Sequence, residues 1–124
     1  MNARKLIAET LREHLDRKYK IVDHPRDLDQ IEARKPVVQI IQTKLRPAPN
    51  KQGAYRADLA VWVIEPKTID AEDDLDDAML DVAVALDKLG SLVWEEAERS
   101  TYGDAEQPAY RFQTTVVITI EPKE

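Results

Sequence analysis

Apolar residues recur along this chain at two spacings, about four in two stretches and two in most of the others. Over residues 3–18, Ala3, Ile7, Leu11 and Leu15 fall every fourth position, with Leu6 and His14 alongside. That spacing lines one side of a helix. Asn2 precedes it and is a residue type that caps helices. Arg17, Lys18 and Lys20 crowd the far end, where the helix dipole favours cations. His14, beside the stripe, is expected to be half-buried. The second helical stretch is 71–89, with Leu75, Met79, Val82, Leu86 and Leu89 as its buried stripe and Ala78 and Ala85 beside them. Asp70 takes the N-cap place, the first turns are acidic, Lys88 lies in the last turn and Gly90 reads as the C′ residue.

The remaining segments read as strands. Residues 19–23 form a short one that Pro25 ends. Residues 24–35 are polar with weak periodicity and read as a loop with room for one helical turn. After Pro36, residues 37–45 carry apolar side chains on both faces, Val37, Ile41 and Leu45 against Val38 and Ile40, which predicts a central strand. A turn-rich 47–53 leads into 54–64. There Tyr55, Ala57, Leu59, Val61 and Val63 alternate with Arg56, Asp58, Ala60 and Trp62. The two strands make a long hairpin. Residues 92–101 form a less regular strand around Trp94, and 102–108 a turn. Residues 109–121 form the clearest strand, with Tyr110, Phe112, Thr114, Val116, Ile118 and Ile120 on one face. The order α-β-β-β-α-β-β predicts an α+β fold. It is a single domain over 1–124, with a mainly antiparallel sheet of about four to five strands and both helices on one face.

Composition narrows the function. At 124 residues the chain can bury roughly two-thirds of its unfolded surface, so it folds without metal or disulfide. It contains no cysteine, which excludes a zinc-thiolate site and a thiol nucleophile and fits a protein made in a reducing cytoplasm. No stretch approaches the ~18 apolar residues of a membrane span, and charges break up the start too early for a secretory signal. Net charge is −6, and the seven carboxylates between Asp70 and Asp81 carry −7 of it, leaving −6 + 7 = +1 for the rest. A nonspecific grip on DNA needs a basic surface, so no nucleic-acid binding of that kind is expected.

Candidate chemistry is sparse. The glycines, Gly53, Gly90 and Gly103, lie far apart and cannot form a phosphate loop. The histidines are His14 and His24, the latter before a proline, and the serines Ser91 and Ser100 lack nucleophile-elbow surroundings. Asp70, Glu72, Asp74, Asp76 and Asp81 match the first, third, fifth, seventh and twelfth ligand positions of a calcium loop. The sixth must be glycine, and here it is Leu75. Asp58 followed by Glu65-Pro66-Lys67 resembles a nuclease carboxylate set, but seven residues of one strand separate the acids by ~23 Å. No enzyme and no cofactor are expected. Arg46, Asn50, Lys51 and Arg56 flank the hairpin loop as candidate assembly contacts. Asp73, Asp74, Asp76 and Asp77 are a candidate acidic face on the second helix.

The sequences Pro36-Val37-Val38-Gln39-Ile40, Ala57-Asp58-Leu59-Ala60-Val61-Trp62-Val63 and Asp74-Leu75-Asp76-Asp77-Ala78-Met79-Leu80-Asp81-Val82 carry a resemblance, joined by Val93-Trp94-Glu95-Glu96-Ala97 and Pro108-Ala109-Tyr110-Arg111-Phe112. In this order, over nearly the whole chain, the layout resembles the tail-terminator family of tailed bacteriophages, also called tail-completion or minor tail proteins. The resemblance implies a ring, usually a hexamer, at the head-proximal end of the virion tail. It stops tube elongation and presents a surface to the head. It implies three partners: further copies of the chain, the tail-tube protein and the head-tail connector, with assembly in the host cytoplasm. It implies no catalytic residue, and the acidic helix face is expected to line a lumen through which DNA slides. A head-completion or neck protein shares such layouts, and a small monomeric binding module is the alternative from another class.

Overall fold

The computed structural model describes residues 2–23, 35–49, 53–66, 68–103 and 106–119. Its elements follow the expected order: α1 (Ala3–His14), β1 (Lys20–Val22), β2 (Val37–Pro47), β3 (Ala54–Ile64), α2 (Ala71–Leu86), β4 (Leu92–Tyr102) and β5 (Gln107–Thr119). The strands form one sheet in the order β1-β2-β3-β5-β4. β1 runs parallel to β2, and every other neighbouring pair is antiparallel. Both helices cover the same face of the sheet.

Local chemistry sets the helix ends. The Asn2 side chain accepts the Lys5 N–H at 2.9 Å, satisfying one of the four free donors of the α1 N-terminus. α1 stops at His14, four residues short of the expected end. Leu15 is extended, the Asp16 carboxylate accepts the Lys18 N–H at 3.0 Å, and its carbonyl accepts the Tyr19 N–H at 3.2 Å. This Asx turn offers the backbone an alternative to the helix and swings Tyr19 into the core, where it is 7 % exposed. His14, on the last turn, is exposed rather than half-buried. Asp70 holds the N-cap place of α2, but its side chain makes no capping bond. α2 ends at Leu86 with Asp87 as C-cap, so Gly90 lies beyond the C′ place and is not left-handed. The Asp87 carboxylate accepts the Trp94 indole N–H at 3.0 Å, tying the helix end to β4.

The core lies between the helices and one sheet face. Val38 and Ile40, then Ala57, Leu59, Val61 and Val63, then Phe112 and Val116 meet Ile7 and Leu11 of α1 and Leu75, Val82 and Leu86 of α2. Each large side chain of this kind contributes roughly 1.5–3 kcal/mol through burial. Trp94 packs edge-on to Phe112 at 5.0 Å. On the opposite face, Val22, Val37, Ile64 and Ala109 form a second small buried cluster with Trp62 and Tyr102 packed against it. There the Tyr102 hydroxyl donates to Gln39 Oε1 at 2.7 Å, within a fully buried glutamine.

β2 is central for only part of its length. β1 pairs with Val37, Val38 and Gln39 alone, so the exposed 42–47 half of β2 has no strand neighbour on its outer side. Bulges interrupt β2 between Gln42 and Lys44 and β4 between Trp94 and Ala97. The pairings Gln42 with Leu59, Leu59 with Thr114 and Thr114 with Trp94 put both bulges on one row across the sheet. A bulge bends its strand and increases local twist. With one at each side of the same row, the helix-free face curls into a shallow groove of about 550 Å³, lined by Thr43, Lys44, Asp58, Glu95, Glu96 and Thr115 among others.

Candidate functional site

The hairpin candidates divide into two described residues and two that are not. Asn50 and Lys51 lie outside the described residues. Arg46 and Arg56 face each other across β2 and β3, with Val117 of β5 next in the row. Arg46 reaches diagonally to Asp58, 3.0 Å from Oδ1, and the Thr115 hydroxyl donates to the same oxygen at 3.0 Å. Burial opposes ionisation of Asp58, but the hydrogen bonds from Arg46 and Thr115 outweigh it and hold the carboxyl below its ordinary range. Arg46 is therefore engaged within its own chain. Arg56 makes no ion pair with a described residue. This end of the sheet ends in β2, β3 and β5 alone, because β4 begins at Leu92, opposite Val116.

The acidic helix does not present one face. Its four candidates are all exposed, but at about 100° per residue they point three ways. Asp73 and Asp77 sit on the outward crest with the exposed Leu80 and Val84. Asp76 turns toward β5 and accepts the Tyr110 hydroxyl at 3.4 Å. Glu72 on the same flank pairs with Arg99 of β4, whose hydrogen bond holds the carboxyl below its ordinary range. Asp74 turns the other way, toward β3. Two turns on, Asp81 accepts the buried Tyr19 hydroxyl at 2.7 Å. Burial foremost, then that carboxylate, pushes the Tyr19 hydroxyl well above its ordinary range.

Where β3 ends, the chain builds a pocket that the pattern of candidates does not include. Glu65 continues the inward alternation of Leu59, Val61 and Val63, and its N–H donates to the Pro108 carbonyl at 3.0 Å. It is 6 % exposed and opens into a cavity of about 240 Å³ lined by Lys18, Pro36, Pro66, Thr68, Asp74 and Asp77. No described side chain donates a hydrogen bond to its carboxylate. Lys18, the cation in the cavity lining, lies over the Tyr19 ring at 5.3 Å. Burial, reinforced by Asp74 and opposed by Lys18, pushes the Glu65 carboxyl up to about 7. The signal that finds Glu65 in the sequence is the period of two, carried one residue past the apolar run.

The same alternation separates Asp58 from Glu65. Asp58, at the middle of β3, belongs to the helix-free face, and Glu65, just past its end, belongs to the helix-covered side, so a single ion cannot bridge them. Lys67 lies outside the described residues. Among the described residues no three His, Cys, Asp or Glu side chains converge closely enough to hold a metal ion. The Thr114 hydroxyl, also missed by pattern, donates to the Leu59 carbonyl at 3.0 Å and is a structural pin between β5 and β3. No protein-family model matches the chain, and no curated protein matches its sequence.

Proposed function

We propose that this chain is a structural subunit that closes into a ring on the head-proximal end of a phage tail tube. There it stops elongation and presents the surface that meets the head. A ring subunit must carry two different surfaces that complement each other, because a heterologous contact closes only by rotation from one copy to the next. One observation carries the reading. The two sides of the sheet that lack a strand neighbour are unlike in charge. The outer half of β2 bears Lys44 and Arg46, the latter paired with Asp58, and β4 bears the acidic pair Glu95 and Glu96 beside Glu98 and Arg99, which pair with Arg111 and Glu72. Opposite charge on opposite edges favours head-to-tail association over edge-to-edge pairing of like sides. β4 and β2 also run in opposite directions, so a neighbouring copy related by rotation meets antiparallel. On this reading Asp73 and Asp77, on the α2 crest, are the carboxylates available to face a DNA-filled lumen. Asp74 and Asp76 are turned to the flanks.

A second reading rests on the bulges. Each free edge carries one, together with charged side chains, and such devices keep edges from pairing. They favour a small monomeric module that binds one partner. Imaging separates the readings: gold-labelled protein is mixed with tail tubes of the genome that encodes the chain and viewed by negative-stain electron microscopy. Label at one tube end, with tubes that no longer grow, is the expected result. Label on capsid vertices instead assigns the chain to head completion. Label on neither, with a monomeric mass in light scattering, overturns the ring and leaves the binding module.

A further inference from the structure

We propose that the cavity at the end of β3 binds the guanidinium group of an arginine side chain, with Glu65 as the anchoring carboxylate and Asp74 and Asp77 completing the charge match. The site stands apart from the tail reading and does not depend on it. Among the described residues, three carboxylates line the cavity against one ammonium, and that ammonium is already engaged over the Tyr19 ring. These described groups carry a net charge of −2 when all are ionised. Glu65 comes from β3 and the aspartates from α2, so the charge is not simply that of one acidic helix face. Glu65 is more than nine-tenths buried, opens into the cavity and receives no hydrogen bond from a described side chain. Its carboxylate oxygens open to the cavity and are not sealed in the core, so a donor that enters there meets a carboxylate whose charge the surrounding burial disfavours.

Size and geometry select the donor. At ~30 Å³ per water, a cavity of about 240 Å³ has room for a guanidinium head. A metal ion is disfavoured because no three acidic or imidazole side chains converge on one point among the described residues. A planar fork with five donors spreads over a wider span. It can take Glu65 with one edge and an aspartate with the other, where a compact ammonium cannot.

Only ionised Glu65 accepts the cation, so binding is linked to pH. Among the described residues, the charged groups facing Glu65 are Asp74 of α2 and Lys18 of the turn after α1, with Asp77 at the cavity rim where it borders the α2 crest and the Tyr19 hydroxyl beyond. With Glu65 titrating near 7, affinity at pH 8 should exceed that at pH 6 by about tenfold.

Methylguanidinium chloride, titrated into the isotope-labelled full chain while the Glu65 side-chain carboxyl resonance is followed by NMR, tests this. The expected result is a saturable shift at Glu65, with a Kd of about 1 mM, tighter at pH 8 and stronger than for n-butylammonium. Glu65→Gln should abolish it with the remaining spectrum unchanged, and Asp74→Asn should weaken it several-fold. A shift that rises linearly without saturation to about 50 mM, well beyond that Kd, overturns the proposal. So does equal affinity for n-butylammonium, no dependence on pH, or unchanged binding by Glu65→Gln. Glu65→Gln replaces a buried acid by a neutral side chain of its own size, so its fold is retained, as its thermal unfolding will report.

Discussion

β3 carries one acid at its middle and is followed by another just past its end, and the two behave in opposite ways. Asp58 stands on the helix-free face, where Arg46 and Thr115 reach it, and its carboxyl ionises more readily than usual. Glu65 stands on the helix-covered face, where burial foremost and then the charge of Asp74 oppose its ionisation and no described side chain donates to it, so its carboxyl ionises less readily. Residue type does not distinguish them. The difference lies in the side of the pleat each occupies and in what the neighbouring elements bring there. On the helix-free face, Asp58 is compensated by Arg46 of the neighbouring strand. The end beside α2 stores an uncompensated acid, and this is why the pocket rather than the hairpin stands out as a binding site for a cation.

The strongest way to probe that contrast is to weaken the body of β3 between its ends. Leu59→Ala removes a fully buried side chain under both helices and should cost about 2–5 kcal/mol in urea unfolding. Val117→Ala, beside the arginine row, should stay within about 0.5 kcal/mol of the wild type. Equal costs would mean that the distal end is as tightly packed as the core. Glu65→Gln is the next largest. The folded state holds the Glu65 proton up to about pH 7, whereas the unfolded chain releases it near 4.5. Stability should therefore fall as pH rises through that window and level off above it. Glu65→Gln should remove this slope and leave the protein more stable above pH 7 by about 2 kcal/mol. A wild-type stability that rises between pH 5 and 7 while the variant's does not would refute the assignment.

Asp58→Asn should give the smallest effect and the opposite pH signature. Its carboxyl is held below the ordinary 3.8, so its contribution is present at neutral pH and lost only as pH falls through the folded value. Arg46 is 44 % exposed in its side chain, which limits the loss to under about 1 kcal/mol. Chemical denaturation at pH 7 and pH 3 should show the difference between Asp58→Asn and wild type shrinking with acid.

Much of the fold is legible in the sequence, for identifiable reasons. β3 and β5 read clearly because each presents one face to the helices, so inward residues alternate with outward ones from Ala57 to Val63 and, with only Thr114 polar, from Phe112 to Val116. Asn2 reads as a cap because its side chain does that one local job. The ends of the helices read less well. Asp16 closes an Asx turn that no apolar period announces, and Asp87 is recruited by Trp94 of β4, a contact between segments. β2 looked central because its first residues are buried on both faces. Its outer half is an edge because β1 is only three residues long. At the candidate sites the run of aspartates reads as one acidic face in one dimension. On the helix, Asp76 meets Tyr110, Asp81 meets Tyr19, and Asp74 turns toward the cavity into which Glu65 opens. The Arg46–Asp58 pair and the isolation of Glu65 depend on strand register, which the chain reveals only once folded.

The position of β5 has a consequence for the order of folding. It follows every other element along the chain, yet it lies between β3 and β4, pairing Ala54 with Thr119 across 64 intervening positions. The β2–β3 hairpin closes a short loop and can form early, whereas β4 has no strand to join until β5 arrives. During that interval the edge of β3 is bare, and 59–64 (Leu-Ala-Val-Trp-Val-Ile) is an uncharged, strongly β-forming run. The hazard of this topology is thus kinetic. A chain slowed at β5, or deprived of it, is at risk of aggregating through the strand that later becomes the centre of its sheet.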